Sequence, residues 1–296
     1  MARAYGREMR PGESNERTAA ERIRAEHDRL TAAERRVAEV VLAAPQSIGF
    51  GTVAELATAA GAGAATVVRL ATKLGYEGFT ELQESIRREL VHQLRPASER
   101  IREQSGSGVV EAHAAVELSN VQGTLERAEA DAVADVVGHL GDLRHPVAMV
   151  SGDASTGVAQ QFVSDLSSLR PDVHTICGND VAVRRALALL PAGTTLVVLD
   201  VRRYDRWVLD TVEHAHRRGC WVVALTDSML SPLAGSAART FVISAGAVGP
   251  FDSHVGTLAL LDLFVTETAS HLRRTAPGRL DAVESAWTDG GSLVDP

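Results

Sequence analysis

Three polar side chains recur at helical spacing near residue 70. Thr66, Arg69 and Lys73 stand three and four positions apart, so an α-helix would place them on one face. Two cations on one face can bind phosphate oxygens, and a hydroxyl or guanidinium can also reach a base edge. The pattern indicates a helix that binds a polyanion, although the solvated face of any amphipathic helix has similar residue types.

A loop of small residues offers a second kind of chemistry. Residues 151–157 read Ser-Gly-Asp-Ala-Ser-Thr-Gly, between an apolar run and a helical pattern. Hydroxyl groups and the free N–H groups at a helix start can hold an anion. A plain turn is the alternative, because small polar loops are common at such junctions.

Three arginines, Arg202, Arg203 and Arg206, follow a later apolar run. Each guanidinium can form a bidentate pair with a phosphate or a carboxylate. Asp200 and Asp205 can equally pair with these arginines, which would leave a salt-bridged loop without a ligand. The residue types alone leave both alternatives open.

Short helices separated by breakers make up the part of the chain that must position Thr66, Arg69 and Lys73. Capping boxes, in which a hydroxyl and a carboxylate satisfy the free N–H groups of a helix start, are predicted at residues 31–34 and 52–55. The glycine-containing residues 61–63 then precede a helix predicted over residues 64–74. A short helix, a turn with glycine and a second short helix form the helix-turn-helix unit, whose second helix enters the DNA major groove.

From Pro146 onward, short apolar runs alternate with amphipathic stretches. The runs read as strands at residues 147–150, 173–176, 196–199, 221–225 and 241–243. Helices are predicted between them, including one over 232–238, before a long final helix over 254–272. Strands this apolar belong to a parallel sheet that is covered on both faces. We predict a doubly wound α/β domain with a flavodoxin-type strand order, with ligands at the carboxyl ends of its strands.

The length of 296 residues suits two domains. We predict an all-α helix-turn-helix bundle at residues 17–95, a linker at 96–108 and the five-stranded α/β domain at 109–288. Formal charge divides in the same way, because residues 1–95 sum to +1 and residues 96–296 to −9. A general DNA-binding surface on the acidic second part is therefore excluded.

Composition excludes several classes of protein. Hydrophobic residues make up 45% and charged residues 23%, as in ordinary globular proteins. No apolar run reaches the roughly 18 residues of a membrane-spanning helix, and no secretion signal is recognised. Two cysteines are too few for a disulfide framework. We expect a cytoplasmic protein with no membrane partner, no cofactor and no metal site.

Residues 30–90 resemble the N-terminal domain of RpiR-type bacterial transcription regulators, most specifically in the string from Ala65 to Phe79. The resemblance implies that residues 64–74 are the recognition helix. Gly63 departs from the serine that commonly caps this helix, so one phosphate contact is expected to be lost, although glycine is an acceptable cap. The predicted DNA-binding residues are Thr52, Gly63, Ala65, Thr66, Arg69, Thr72 and Lys73.

Residues 146–272 resemble the SIS (sugar isomerase) domain of the same regulators, in which the first loop binds a phosphosugar. Asp153 stands where the family usually has glycine, and residues 200–206 replace a serine-rich loop, so the hydroxyl cradle is missing. Ser253 matches a Ser-Arg pair of the family, whereas His254 does not. The predicted ligand-binding residues are Ser151, Gly152, Ser155, Thr156, Asp200, Arg202, Arg203 and Ser253.

These features lead to a transcription regulator as the main hypothesis. A homodimer or homotetramer would bind a double-stranded DNA operator, and a small anionic carbohydrate-like effector would shift its conformation. A sugar-phosphate isomerase is one alternative, with only His254, Asp153 and Asp200 available as a base. A regulator with a vestigial pocket that serves dimerisation is another, so no catalytic residue is assigned.

Overall fold

The computed structural model describes residues 19–43, 48–49, 51–94, 97–103, 109–229 and 231–292. The chain divides into two compact units, Met1–Arg95 and Pro96–Pro296. Residues 96 and 104–108 of the predicted linker lie outside the described residues, as do residues 1–16, in which no secretion signal is recognised.

Helices pack around one core in the first unit. They are α1 (Ala19–Glu26), α2 (Ala32–Ala43), α3 (Val53–Ala59), α4 (Ala64–Lys73) and α5 (Phe79–Leu94), with a 3-10 turn at His27–Arg29. Each helix contributes an apolar side chain to this core, as Ile23, Val41, Leu56, Leu70 and Leu82 show. The predicted all-α bundle is confirmed.

Both predicted capping boxes form. The N–H of Thr31 donates to Glu34 Oε2 at 2.8 Å, and the N–H of Glu34 donates to Thr31 Oγ1 at 3.4 Å. Thr52 and Glu55 make the same exchange at 2.7 and 3.3 Å. The start of α3 is therefore fixed by its own side chains, and α4 follows after a turn with an axis change of 99°.

The second unit begins with helices and continues as an α/β domain. The helices are α6 (Ala97–Glu103), α7 (Val109–Glu126) and α8 (Ala130–Gly141). The α/β part follows as β1 (Val147–Ser151), α9 (Thr156–Leu169), β2 (Val173–Thr175), α10 (Asp180–Leu189), β3 (Thr195–Leu199), α11 (Arg206–Arg217), β4 (Trp221–Thr226), β5 (Arg239–Val242), α12 (Val255–His271) and α13 (Ala276–Asp289).

The five strands form one parallel sheet in the order β2-β1-β3-β4-β5, as predicted. Alternate strand residues face two cores: Met149 packs with Phe162 of α9 and Phe264 of α12, whereas Val150 packs with Val183 of α10 and Val212 of α11. Because β2 and β3 flank β1 on opposite sides, the carboxyl ends of β1 and β3 form the switch point where ligands bind in such folds.

Helix α7 fastens the chain that follows β5. The N–H of Ser244 donates to Thr124 Oγ1 at 3.0 Å. Asn120 bonds to both backbone groups of Gly246, at 2.7 Å to its O and 3.0 Å from its N. The Thr124 and Asn120 side chains are buried, so their bonds replace water for the backbone groups of the segment that follows the sheet.

Residues 97–103 of the predicted linker form α6, in which Arg100 makes an ion pair with Asp252. Two predictions of helices were wrong. The helix predicted at 232–238 is only a 3-10 turn at Ala234–Ser236, since Gly235 in the middle of the segment disfavours a longer helix. The helix predicted as final is followed by α13, which begins with proline in its first turn.

Candidate DNA-binding and ligand-binding sites

The free face of α4 carries Ala65, Val68, Arg69 and Thr72, all of them exposed. Leu70 on the opposite face lies in the core. This division follows from apolar residues at helical spacing, which bury one side of the helix and leave the other for solvent or a partner.

Thr66 does not belong to this exposed face, because only 7% of its surface is exposed. Its Oγ1 accepts a hydrogen bond from Arg69 Nη2 at 2.9 Å. The structure thus differs from the expectation of a hydroxyl reaching DNA: Thr66 orients the guanidinium that is exposed one turn later.

Lys73 is also engaged within the bundle. Its Nζ donates to Arg29 O at 2.6 Å and to Glu34 Oε2 at 3.0 Å. The N–H of Thr31 and the Lys73 ammonium lower the pKa of the Glu34 carboxyl. Lys73 therefore joins α4 to α2, a role that the helical spacing did not indicate.

Thr52 and Gly63 stand at the starts of the two short helices, and both are exposed. The Thr52 hydroxyl donates to Glu55 Oε2 at 3.0 Å. Gly63 caps α4 without a side-chain bond, and a Cβ added there would meet open space. The structure leaves room at Gly63 for a serine or for a phosphate.

The first loop of the sheet follows β1 at the switch point. The N–H of Gly152 donates to Leu199 O at 2.9 Å, which joins the end of β1 to β3. Ser151 is buried, while Thr156 is exposed and donates to Gly152 O at 3.4 Å. Ser155 is fully buried, and its Oγ has no hydrogen-bond partner among the residues the structure describes.

Asp200 follows β3 and packs directly against that loop. It is 4% exposed, and its Oδ2 accepts from the N–H of Asp205 at 2.8 Å. Burial, with added repulsion from Asp205 and Asp227, raises the pKa of Asp200 to about 7. Asp205 in turn accepts from the N–H of Asp153 at 2.9 Å, so the two predicted ligand loops bond to each other.

Arg202 is paired with a carboxylate 50 positions further along the chain. Its Nη2 lies 2.6 Å from Asp252 Oδ1, and its N–H donates to Asp227 Oδ1 at 3.2 Å. Asp227 also accepts from the Tyr204 hydroxyl at 2.8 Å, and burial raises the pKa of both groups. Arg203 is exposed and takes a left-handed backbone conformation with φ of 63°.

Ser253 and His254 border the same edge. The buried Ser253 hydroxyl donates to Glu117 of α7 and accepts from the N–H of Val255 at 3.1 Å, so it joins α7 to the start of α12. Burial lowers the pKa of His254, which bonds to the backbone of Ala154 in the first loop. Its Nδ1 is buried and unbonded within the described part of the chain.

The predicted ligand-binding residues therefore meet at one edge of the sheet, largely bonded to one another. Sequence reasoning missed Arg100, Glu117, Asp227 and Asp252, which complete this network. Only Asp252 had a signal, since it adjoins Ser253. Nothing in the local pattern singles out the others, because their partners are distant in sequence.

Within the described ranges, no group of three or more His, Cys, Asp or Glu side chains could hold a metal ion. No single helix there is long and apolar enough to cross a membrane, and α3 with α4 meets that test only as a pair bent by 99°.

Family models match both units. The helix-turn-helix domain of the rpiR family matches residues 17–93, and the SIS domain matches residues 149–267. The HTH-type transcriptional regulator HexR of Pseudomonas aeruginosa is 26% identical over 270 residues, which cover 86% of this chain and 93% of that protein. HexR of Escherichia coli is 22% identical over 268 residues, with coverages of 88% and 90%.

Solved structures share the fold. The sugar isomerase domain of an RpiR transcription factor from Sphaerobacter thermophilus has a TM-score of 0.57 at 25% identity, covering 60% of this chain and 99% of that one. The NanR protein of Vibrio vulnificus, solved in complex with ManNAc-6P, has a TM-score of 0.55 at 19% identity, with coverages of 93% and 99%.

Proposed function

This chain is an RpiR-type protein, with a helix-turn-helix domain of the rpiR family ahead of a SIS domain, and on that premise we propose that it is a DNA-binding transcription regulator. We further propose that its SIS domain senses a small anionic sugar derivative. The protein acts in the cytoplasm as a homodimer or homotetramer on an operator in double-stranded DNA, and it is not an enzyme.

The exposed face of α4 is the observation that carries the DNA-binding proposal. Ala65, Arg69 and Thr72 enter the major groove, while Thr66 holds the Arg69 guanidinium and Lys73 holds the helix to α2. Thr52 and Gly63 face the phosphate backbone at the starts of α3 and α4. Fewer residues of α4 therefore contact DNA than the spacing of its polar residues predicted.

Arg69→Ala tests this interface. DNA fragments selected on the wild-type protein serve as the operator. Loss of the guanidinium contact should weaken operator binding by about 1–3 kcal/mol for each subunit that binds DNA. The slope of log affinity against log salt should fall by about 0.9 for each such subunit if the contact is to a phosphate.

Arg217→Ala is the matched control, because it removes an exposed arginine from α11 in the other unit. It should leave affinity and slope unchanged. Equal binding by wild type and Arg69→Ala, with equal slopes, would remove Arg69 from the interface.

The sensing proposal rests on the SIS domain and on the groups at its switch point. Arg202 and the unbonded Ser155 hydroxyl offer donors to an oxyanion at the carboxyl edge of the sheet. Charged sugar derivatives added to the purified protein should change its affinity for the operator, whereas the uncharged parent sugars should not.

A SIS domain used for dimerisation alone is the second candidate. The internal bonds of Asp200, Asp205 and Arg202 favour it, because they occupy groups that a ligand would otherwise use. If sugar phosphates and sugar acids change neither thermal stability nor operator affinity, this second candidate replaces the sensor.

A further inference from the structure

Two arginines meet at one carboxylate oxygen beside the switch point. Arg100 Nη1 and Arg202 Nη2 each lie 2.6 Å from Asp252 Oδ1. The side chains are 21%, 10% and 13% exposed for Arg100, Arg202 and Asp252. This is a largely desolvated cluster, in which charge interactions are much stronger than at a free surface.

The cluster has the donor geometry of an oxyanion site. Two guanidinium groups that converge on one oxygen are the arrangement by which proteins bind phosphates and carboxylates. Asp252 supplies the oxygen from within the chain. Arg100 Nε is buried and has no hydrogen-bond partner among the described residues, so Asp252 leaves donor capacity unused.

The same edge holds other unused polar atoms. Ser155 Oγ and His254 Nδ1 are buried without a partner in the described ranges. His254 lies two residues after Asp252 and bonds to the backbone of Ala154, next to Ser155. The segment that carries Asp252 is therefore connected to the first ligand loop, and buried polar atoms left unbonded cost stability until a ligand or water meets them.

We propose that Arg100 and Arg202 bind the phosphate or carboxylate of an anionic sugar derivative, and that Asp252 occupies this position in the absence of that ligand. This inference rests on the sensing function proposed above. The ligand's oxyanion displaces the Asp252 carboxylate and bonds to both guanidinium groups. Arg100 of α6 and Arg202 then stay linked through the ligand, while the segment around Asp252 is released.

The position of Arg100 in the chain gives this exchange a route to DNA binding. Arg100 lies on α6, the helix of the second unit that follows α5 in sequence. A ligand that replaces Asp252 as the partner of Arg100 therefore acts on the helix that comes next in sequence after the first unit. The size of that effect is bounded by the difference in ligand affinity between the two arrangements.

Asp252→Asn tests the exchange directly, because it removes the competing charge and keeps the side-chain volume. Calorimetric titration of the full-length protein with inorganic phosphate, glucose 6-phosphate, gluconate and glucose separates phosphate, carboxylate and uncharged ligands. Asp252→Asn should bind the preferred charged probe at least tenfold more tightly than wild type. Arg100→Gln in the Asp252→Asn background should abolish that gain, whereas Arg184→Gln, an exposed arginine of α10, should not.

Arg100→Gln alone keeps the test decisive if Asp252→Asn does not fold. It should weaken charged-probe binding at least tenfold and leave the glucose titration the same as that of wild type. Hydrogen exchange supplies a separate readout, since amides of residues 250–254 should exchange faster when wild type is saturated with the charged probe.

The outcomes separate this inference from the sensing function. If a charged probe binds wild type and changes operator affinity, but Asp252→Asn and Arg100→Gln bind it as wild type does, the assignment is overturned and the sensing function stands. If no charged probe binds any variant, both are overturned, while DNA binding through Arg69 is unaffected.

Discussion

The carboxylate of Asp200 fills the space next to Gly152: a Cβ on that glycine would lie 2.2 Å from Asp200 Oδ1. The glycine directly follows β1 and the aspartate directly follows β3. The loop after β1 and the loop after β3 are thus packed directly against each other. Any ligand at this edge must fit around the buried Asp200 carboxylate.

Gly152→Ala should destabilise the second unit. The added methyl group forces the Asp200 carboxylate to move, and overpacking of this kind costs about 1–3 kcal/mol. Urea denaturation followed by tryptophan fluorescence reports on this unit, since Trp207, Trp221 and Trp287 all belong to it.

Gly138→Ala is the control for Gly152→Ala. Gly138 lies in α8 with nothing within 4 Å of an added Cβ, so alanine there should stabilise by about 0.5–1 kcal/mol. Asp200→Ala should relieve most of the cost of Gly152→Ala. Equal stability of Gly152→Ala and wild type would show that the Asp200 carboxylate can move aside without a cost in stability.

Asp200→Asn should remove a pH dependence of stability. The folded-state pKa of Asp200, about 7, is above its unfolded value of 3.8, so the folded protein binds more protons between these values. Stability from this group is present at low pH and is lost as pH rises through 7. Relative to Asp200→Asn, wild type should lose about 2–3 kcal/mol between pH 5 and pH 8.

Urea midpoints and slopes of both proteins across this pH range measure that difference. Parallel stability curves for wild type and Asp200→Asn would mean that Asp200 is ionised in the folded protein at pH 5.

Lys73 should contribute to stability through Glu34 more than to DNA binding. A double-mutant cycle of Lys73→Met and Glu34→Gln should give a coupling of about 1 kcal/mol, read from hydrogen exchange of α4 amides. Because the folded-state pKa of Glu34 is lowered, this contribution is present above pH 4.5 and is lost as pH falls further.

The salt dependence of operator binding distinguishes the two roles of Lys73. Lys73→Met should change the slope less than Arg69→Ala does. A larger change for Lys73→Met would show that the ammonium leaves Glu34 for a phosphate in the complex.

Gly63→Ser should strengthen operator binding. Its backbone, with φ of −88° and ψ of 152°, suits an N-cap serine, and the added side chain meets open space. The hydroxyl can serve the α4 start and a phosphate, so affinity should rise about threefold to tenfold, in the range of a single hydrogen bond. Gly63→Ala lacks the hydroxyl and is the control; equal affinities of the serine and alanine variants would contradict the phosphate contact.

Features set by neighbouring residues were predictable from the sequence. The Thr31 and Thr52 capping boxes depend on a residue three positions away, and the strand runs depend on unbroken apolar residues. The doubly wound α/β fold followed from the alternation of strands and helices. These signals fixed the fold and the region of each candidate site.

Features set by distant partners were not predictable. Helical spacing placed Thr66 and Lys73 on the polar face, but Thr66 is buried in the folded chain and Lys73 is bonded to Glu34 of α2. Arg170 shows the same limit: it is fully buried and donates to Leu140 O at 2.6 Å, which no local pattern signals. The partner of Arg202 was missed because Asp252 is 50 positions away and Arg100 lies in a segment that resembled a linker.

The bonds from α7 to the residues after β5 determine how the ligand-binding half can be isolated. A fragment that starts at Val147 retains all five strands but lacks Thr124 and Asn120, so the amides of Ser244 and Gly246 lose their acceptors. It also lacks Arg100. An expression boundary at or before Ala97 is therefore required if ligand affinities measured on the excised half are to represent the intact protein.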